Sequence, residues 1–302
     1  MSDSTLIGQI PEVTKQSLSR LPGVLSDELV ERLLQCVHYE PVIGIMGKSG
    51  AGKSSLCNTL FSPSPANVDA VKGCTRRAQQ YKTSDGLHAL NIIDFPGIGE
   101  TPTLDKMYAR LYQHWLNKLN KLNKLDLIVW VLKADDRAWN DDIRCYRQLV
   151  SQGAKPAHFL FVLNQADKIE PCREWDTATH QPSMRQQQNL QEKVTQVNTV
   201  FSPVHPVLAV SASEGFNIPR WVETLITVLP DKASSAVTRQ LEPEYRTEKV
   251  TTTAQEGFAR VVGDLFDESV EALLESHTLR TWLKQARSRL LSLAKLLWHR
   301  FF

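Results

Sequence analysis

The sequence of 302 residues lacks the features that mark membrane-spanning, secreted and zinc-binding proteins. No stretch of 18 residues is uninterruptedly apolar, so a membrane-spanning helix is not expected. The first residues have neither a basic start nor an apolar run, so we expect no secretory signal. The five cysteines include no Cys-x-x-Cys pair, which argues against a disulfide framework and a zinc module. We therefore expect a cytoplasmic protein.

Charge imbalance is also absent. Lys and Arg number 35 against 33 Asp and Glu, and this net charge of +2 predicts neither a nucleic-acid binder nor an acidic scaffold. Hydrophobic residues at 42% and charged residues at 23% are ordinary for a globular protein with a core. At roughly 100–200 residues per domain, the length allows one large domain or two modest ones.

From about residue 41, short apolar runs alternate with longer amphipathic stretches. The apolar runs predict strands at 41–46, 77–83, 88–94, 127–132, 158–163 and 207–210. A turn through Ser84, Asp85 and Gly86 predicts that the second and third strands form a hairpin. The alternation predicts an α/β fold with a six-stranded, mostly parallel sheet, one antiparallel edge strand and helices on both faces.

One motif lies directly between the first predicted strand and the helix after it. The segment from Gly47 to Ser54 matches G-x-x-x-x-G-K-[ST], and this context is typical of a P-loop. Its glycines let the backbone wrap a phosphate, Lys53 is expected to neutralise the β and γ phosphates, and Ser54 to ligate Mg²⁺. The residues that we expect to bind the nucleotide here are Gly47, Lys48, Ser49, Gly50, Ala51, Gly52, Lys53, Ser54 and Ser55.

A second motif, Asp94-Phe-Pro-Gly97, ends another apolar strand. Asp94 is expected to hold Mg²⁺, and the backbone amide of Gly97 to sense the γ-phosphate. Both this motif and the P-loop fall at the carboxyl ends of strands, where α/β sheets bind ligands.

Two further motifs distinguish GTP from ATP. In Asn164-Gln165-Ala-Asp167, the carboxylate of Asp167 can accept two hydrogen bonds from the N1–H and N2–H₂ edge of guanine, whereas adenine offers no donor there. Ser211 and Ala212 follow the last strand and can offer a backbone N–H to guanine O6. We therefore predict guanine nucleotide binding; an ATPase remains an alternative only if the Asn164 to Asp167 motif is misread.

Over roughly residues 37–230, the sequence resembles the GTPase superclass that includes Era-like, septin-like and immunity-related GTPases. It looks closest to Era-like GTPases carried on bacterial prophages. The resemblance implies that Thr75 is the switch threonine, which closes onto Mg²⁺ when GTP is bound. The expected catalytic residues are then Lys53, Thr75 and Gly97, and the expected Mg²⁺ ligands are Ser54, Thr75 and Asp94.

The departures from these families carry expectations of their own. Ile98 stands where Ras-type enzymes place a glutamine that orients water, so we expect slow hydrolysis. Gly50 replaces the P-loop asparagine of potassium-activated relatives, which argues against potassium stimulation. Gln165 replaces the usual lysine of Asn-Lys-x-Asp, which predicts weaker guanine binding with selectivity kept by Asp167. Arg76, Arg77 and Arg137 are candidate charge stabilisers, although a solvated surface arginine is the simpler interpretation of each.

The sequence divides into three predicted segments. Residues 1–38 form an N-terminal extension with a helix at 26–37, residues 39–230 form the GTPase domain, and residues 231–302 form the C-terminal region. In that region we expect a polar linker at 231–255, then an acidic helical stretch and a basic one. No Gly-x-x-Gly loop follows residue 230, so no KH-type RNA-binding module is expected.

The basic stretch from Leu279 onward has the spacing of an amphipathic helix and ends in Trp298, Phe301 and Phe302. Two interpretations remain open. The helix packs on the GTPase domain or on the acidic stretch before it, or it contacts a membrane surface or a partner.

Taken together, the motifs predict a Mg²⁺-dependent molecular switch that binds GTP and slowly hydrolyses it to GDP and phosphate. The alternative is a nucleotide-binding scaffold of the septin-like kind with negligible turnover, membrane-peripheral if its C-terminal helix meets lipid. Because the P-loop run resembles that of families whose members pair through their G domains, a homodimer through this domain is a further expectation.

Overall fold

The protein is described from a computed structural model over residues 23–61, 79–84, 89–99, 102–121, 125–270 and 277–302. Its strands are β1 Val42–Gly47, β2 Gln79–Ser84, β3 Ala89–Asp94, β4 Leu127–Lys133, β5 Phe159–Asn164 and β6 Leu208–Ala209. Within these ranges the helices are α1 Gly23–Val37, α2 Lys53–Leu60, α3 Pro102–Lys121, α4 Asn140–Ser151, α5 Met184–Phe201, α6 Ile218–Val228, α7 Asp231–Gln240, α8 Glu248–Val270 and α9 His277–Phe301.

The strands form one sheet in the order β2-β3-β1-β4-β5-β6. Five of them run parallel, and β2 pairs antiparallel with β3 at the edge. The first six residues of β4 are all buried, as expected for a strand that is covered on both faces. The α/β fold predicted by the alternation is therefore confirmed. Residues 85–88, where the hairpin turn was expected, lie outside the described residues.

Successive side chains of the strands point to opposite faces of the sheet and pack into two separate hydrophobic cores. On one face, Trp130 of β4 and Phe161 of β5 pack with Tyr146 of α4; the Trp130 and Tyr146 rings meet edge to face at 6.0 Å. On the other face, Val129 and Val131 join residues from α1, α2 and α6 to α9. The apolar period of 2 in the strands thus places one helical layer on each side of the sheet.

The second core crosses the boundaries predicted at residues 38 and 230. It combines Leu33 of α1, Leu60 of α2, Leu225 of α6, Val262 of α8 and Leu297 of α9, all at most 2% exposed. The N-terminal and C-terminal helices therefore pack on the same face as the P-loop helix α2.

The polar linker predicted for 231–255 is wrong. Residues 231–240 form α7, and most of this helix is buried. Its polar side chains find partners inside the protein: Thr238 Oγ1 donates to the carbonyl of Ser234 at 2.8 Å, and Ser235 Oγ donates to the carbonyl of Ala254 at 3.2 Å. A polar helix can be buried because these hydroxyl groups satisfy their hydrogen bonds locally. The next helix, α8, already begins at Glu248.

The helices α8 and α9 form an antiparallel hairpin. Arg287 Nε lies 2.8 Å from Asp267 Oδ1, and Gln255 near the other end of α8 lies against His299. The aromatic end of α9 is part of the core: Trp298 and Phe301 are buried, and Trp298 Nε1 donates to Ser235 Oγ at 2.9 Å. Of the two interpretations of this helix, the structure shows the packed one. None of the described helices is long and apolar enough to cross a bilayer.

Because α9 shares the core of the GTPase domain, removing one of its buried side chains should destabilise the protein. Leu297→Ala leaves a cavity in a packed interior and is expected to lower the free energy of unfolding by roughly 2–5 kcal/mol in urea titrations. Lys295→Ala on the exposed face of the same helix is the matched control, with an expected change within about 0.5 kcal/mol. Equal, small effects of both changes would contradict the packing of α9.

Candidate nucleotide-binding site

The P-loop follows β1 and leads into the first turn of α2. Gly47 has φ +134°, and a Cβ there would lie 2.1 Å from the carbonyl oxygen of Val131 on the neighbouring strand. Gly52 has φ +83°, and a Cβ there would lie 2.4 Å from Asn164 Nδ2. Only glycine fits these two positions, because both the backbone conformation and the space exclude a side chain.

Four carbonyl oxygens of the P-loop accept hydrogen bonds from side chains. Lys53 Nζ lies 3.3 Å from the carbonyl of Gly47 and 3.2 Å from that of Lys48. Asn164 Nδ2 donates to the carbonyl of Ala51, and Gln165 Nε2 to that of Gly50, both at 2.9 Å. The loop is thus held by its own lysine and by the end of β5.

The predicted magnesium ligands that the structure describes lie side by side. Ser54 Oγ, in the first turn of α2, donates to Asp94 Oδ2 at 3.1 Å, and Asp94 is the last residue of β3, the strand that pairs with β1. Hydroxyl and carboxylate oxygens are the hard ligands that Mg²⁺ prefers, so this pair fits the ion. Thr75, the third predicted ligand, lies outside the described residues.

The loop after β3 packs directly on the P-loop. Ser49 N donates to the carbonyl of Ile98 at 3.0 Å, and a Cβ on Gly97 would lie 2.5 Å from both Cα and N of Ser49. Gly97 therefore lies in direct contact with the P-loop backbone. Ile98 is 2% exposed and packs in the core near Phe95, so its side chain does not enter the site.

The residues predicted to recognise the base meet at the ends of β5 and β6. Asn164 Oδ1 accepts the backbone N–H of Ala212 at 3.1 Å, while Ser211 Oγ donates to Asp167 Oδ1 at 2.5 Å. Asn164 thus connects the P-loop to the loop after β6. Gln165 has φ +63°, a left-handed conformation that a single non-glycine residue can adopt in a tight turn.

Glu214, which lies next to these residues, was not predicted as part of the site from the sequence. Glu214 receives hydrogen bonds from His180 Nδ1 at 2.7 Å and from Trp175 Nε1 at 3.4 Å, and its own N–H lies 3.3 Å from Ser211 Oγ. The hydrogen bond to His180 holds the pKa of Glu214 below its usual range. Residues 175–180 are thereby attached to the loop that contains Ser211. Glu214 follows a strand end, which is the signal that could have identified it.

Lys48 was expected to bind the nucleotide, but its side chain points away from the P-loop. Its carbonyl belongs to the P-loop, but its side chain leaves the loop and forms an ion pair with Asp136 at 3.1 Å. Burial lowers the pKa of Lys48, but the hydrogen bond and charge of Asp136, together with Asp142 and Asp141, outweigh it and raise that pKa. Asp136 was not predicted as a residue of the site. It lies three residues after Lys133, the last residue of β4, and is the second of two adjacent aspartates.

The remaining predicted residues occupy the edges of the site. Ser55 lies in the first turn of α2 with its side chain exposed, and Ala51 is fully buried. Arg137 is exposed beyond the end of β4. Arg76 and Arg77 lie outside the described residues. The described motif residues therefore converge at the carboxyl edge of the sheet, on the ends of β1, β3, β5 and β6.

Comparisons of the sequence with known proteins identify a matching family model and related proteins. Residues 42–165 match the family model described as 50S ribosome-binding GTPase. The uncharacterized protein YfjP of Escherichia coli (strain K12) is 38% identical over 294 residues, which cover 97% of this chain and 99% of YfjP. YkfA of the same strain is 37% identical over 288 residues, which cover 95% of this chain and 96% of YkfA.

Solved structures with a similar fold include Era in complex with MgGDPNP and a segment of 16S ribosomal RNA. It shares 21% sequence identity, and the match covers 64% of this chain and 58% of that chain with a TM-score of 0.45.

The fold and the family match define a P-loop GTPase domain, and the protein is a GTP-binding protein of the GTPase class. The chain belongs to the same family as YfjP and YkfA, with which it aligns over almost its whole length.

A buried carboxyl beside the site gives a pH-dependent prediction. Burial raises the pKa of Asp142 from 3.8 to about 7, although Trp130 Nε1 donates to its Oδ1 at 2.8 Å. Since the folded-state pKa lies above the unfolded one, Asp142 contributes stability that is fully present below about pH 4 and is lost as the pH rises through about 7.

Asp142→Asn removes this titration, so the variant should gain stability relative to the wild type between pH 5 and pH 8. A pKa rise of this size corresponds to a few kcal/mol, measured as the difference in urea unfolding free energy at each pH. Asp264→Asn on the exposed face of α8 should show no such pH-dependent difference. If the difference in unfolding free energy between Asp142→Asn and the wild type does not change with pH, Asp142 is not protonated in the folded protein.

Proposed function

We propose that the protein is a Mg²⁺-dependent molecular switch that hydrolyses GTP slowly to GDP and phosphate. The observation that carries this proposal is the direct connection between the P-loop and the base-recognition motif, in which Asn164 donates to the carbonyl of Ala51 and accepts from the N–H of Ala212. A phosphate held by the P-loop and a guanine held by Asp167 are then at fixed relative positions, as GTP requires.

At the phosphate end, Lys53 is the proposed charge stabiliser. In the structure its ammonium bonds two P-loop carbonyls, and a triphosphate would replace these partners with phosphate oxygens. Ser54, Asp94 and Thr75 would hold Mg²⁺, which supplies neutralisation of charge on the β and γ phosphates. The amide of Gly97, held against Ser49, would detect the third phosphate.

Slow turnover is supported by the position of Ile98. Its side chain is apolar, buried and packed in the core, so it offers no group to orient an attacking water. The switch thus depends for its rate on a group from another part of the protein or from a partner. A scaffold with negligible turnover is the outcome if no such group exists.

At the base end, Asp167 is the proposed guanine selector, since Ser211 fixes one carboxylate oxygen and leaves the carboxylate able to accept from the base. Gln165 donates to the carbonyl of Gly50 in a neutral hydrogen bond, where the usual lysine would bring a charge. Weaker nucleotide binding than in lysine-bearing relatives is therefore part of the proposal.

We further propose that the protein belongs with the Era-like GTPases, that it is cytoplasmic, and that it contacts a partner through the exposed face of α9. Lys284, Arg289, Lys295 and Arg300 are exposed on that face, while the apolar face lies in the core. This distribution supports electrostatic contact with a partner in preference to insertion into a membrane, which requires a free apolar face. A homodimer through the GTPase domain remains part of the proposal.

The first test is phosphate release from Mg²⁺·GTP, with ATP as a competing nucleotide and protein concentration varied widely. We expect low activity with GTP and none with ATP, and activity that rises with concentration would indicate activation by pairing.

Lys53→Ala should lower triphosphate affinity at least about tenfold, since a charge-assisted contact is lost. Lys155→Ala, an exposed lysine at the opposite edge of the sheet, is the control. Unchanged binding in Lys53→Ala would refute the phosphate site.

The second test concerns the base. Asp167→Asn replaces a double acceptor with one donor and one acceptor, so it should weaken GTP binding by roughly 10–100-fold and improve binding of xanthosine triphosphate. Competition of both nucleotides against a fluorescent GDP measures the change in preference. Asp264→Asn should leave the preference as in the wild type, and an unchanged preference in Asp167→Asn would remove Asp167 from the base pocket.

A further inference from the structure

Lys48, the second residue of the P-loop, is anchored at its far end. Its Nζ lies 3.1 Å from Asp136 Oδ2, and the two side chains are only 30% and 17% exposed. Asp136 is itself held from other directions: Lys133 Nζ lies 3.9 Å from its Oδ1, and Lys193 Nζ donates to its carbonyl at 2.6 Å. Partial burial and several partners make this ion pair less screened than one on an open surface.

Between its backbone and this anchor, the stem of Lys48 lies against the loop after β3. A Cβ on Gly99 would be 3.0 Å from Lys48 Cε and 3.2 Å from Lys48 Cγ. The same Cβ would lie 3.4 Å from Asp141 Oδ2. Gly99 has φ +83°, a conformation that favours glycine, and the Lys48 stem and Asp141 of α4 both lie within van der Waals distance of the position a side chain would take.

The backbone of Lys48 contacts the same loop. Lys48 and Ile98 form a parallel bridge: the N–H of Ser49 donates to the carbonyl of Ile98 at 3.0 Å, and the N–H of Ile98 lies 3.4 Å from the carbonyl of Gly47. Gly97, immediately before Ile98, lies against Ser49. The phosphate-sensing loop is therefore bounded by the P-loop backbone at Gly97 and by the Lys48 stem at Gly99.

We propose that Lys48 is a positioning residue that holds the segment Gly97 to Gly99 where the Gly97 amide meets the third phosphate. The inference rests on the proposed function. Because only a triphosphate reaches Gly97, the positioning should matter for GTP and much less for GDP. Lys48 would then contribute to the discrimination between the two nucleotides without contacting either through its side chain.

The test separates the stem of Lys48 from its charge. Lys48→Ala removes both, Lys48→Met keeps an apolar stem without the anchor, and Asp136→Asn removes the anchor while leaving the P-loop sequence intact. For each variant, the dissociation constants of GDP and of a non-hydrolysable GTP analogue are measured with Mg²⁺, together with kcat and KM for GTP. Lys249→Ala, which breaks the exposed ion pair with Glu223, is the matched control.

We expect Lys48→Ala to lower the ratio of triphosphate to diphosphate affinity by about tenfold, with GDP affinity changed no more than about twofold. Lys48→Met and Asp136→Asn should lower the ratio by smaller factors, and kcat should fall with it. The control should leave both constants as in the wild type.

Equal weakening of GDP and the GTP analogue would overturn the inference, because Lys48 would then only support the P-loop. An unchanged ratio in all three variants would also overturn it. If Lys48→Ala does not fold, Asp136→Asn decides the question alone. Failure of the wild type to bind either nucleotide is a different result, since it would contradict the proposed function and not the role of Lys48.

Discussion

The carbonyl oxygens of the P-loop impose the constraint on which the rest of the site depends. A loop that turns its N–H groups toward a phosphate directs its carbonyl groups away from it, and buried carbonyls need donors. Here the donors are the ammonium of Lys53 and the side-chain amides of Asn164 and Gln165. Both amides come from the end of β5, so these two hydrogen bonds hold the P-loop against the predicted base-recognition loop. The two predicted binding loops are thereby parts of one hydrogen-bonded unit.

The same hydrogen-bonded unit extends outward from the predicted base-recognition residues to Glu214 and the segment that Glu214 contacts. Asn164 hydrogen-bonds both the P-loop and the backbone N–H of Ala212. Ser211 Oγ donates to Asp167 and accepts the N–H of Glu214. Glu214 then holds the segment that contains Trp175 and His180. The inner step satisfies the buried Asn164 side chain, which would cost more if left without a partner than a single hydrogen bond contributes, whereas the outer step joins the exposed His180 to Glu214. The geometry of the pocket is therefore fixed by groups up to two contacts away from it.

Local chemistry explains which parts of this arrangement could be predicted. Glycine, lysine and serine in fixed spacing after an apolar strand are sufficient to predict the P-loop, because the backbone conformation and the phosphate contacts are both local. The pair of Lys48 and Asp136 could not be predicted in this way. Each residue is one charge among many in the sequence, and they meet only because β1 and β4 are neighbours in the sheet. Likewise, the hydroxyl groups of Ser235 and Thr238 suggested a linker, since a sequence does not reveal that the carbonyls they bond are buried with them.

The burial of α7 also explains why the predicted boundary at residue 230 does not divide the core. The N–H of Glu242 donates to the carbonyl of Leu60 at 2.8 Å, and Phe61 pairs with Leu241, so the end of α7 is joined to the end of the P-loop helix. On its other side, α7 receives the hydrogen bond of Trp298 from α9. Without α7 and the helices after it, the apolar face of α2 and α6 would meet water, and apolar area on that scale is costly to expose. The resemblance to GTPases ends near residue 230, but the packing that holds the P-loop helix in place continues to Phe301.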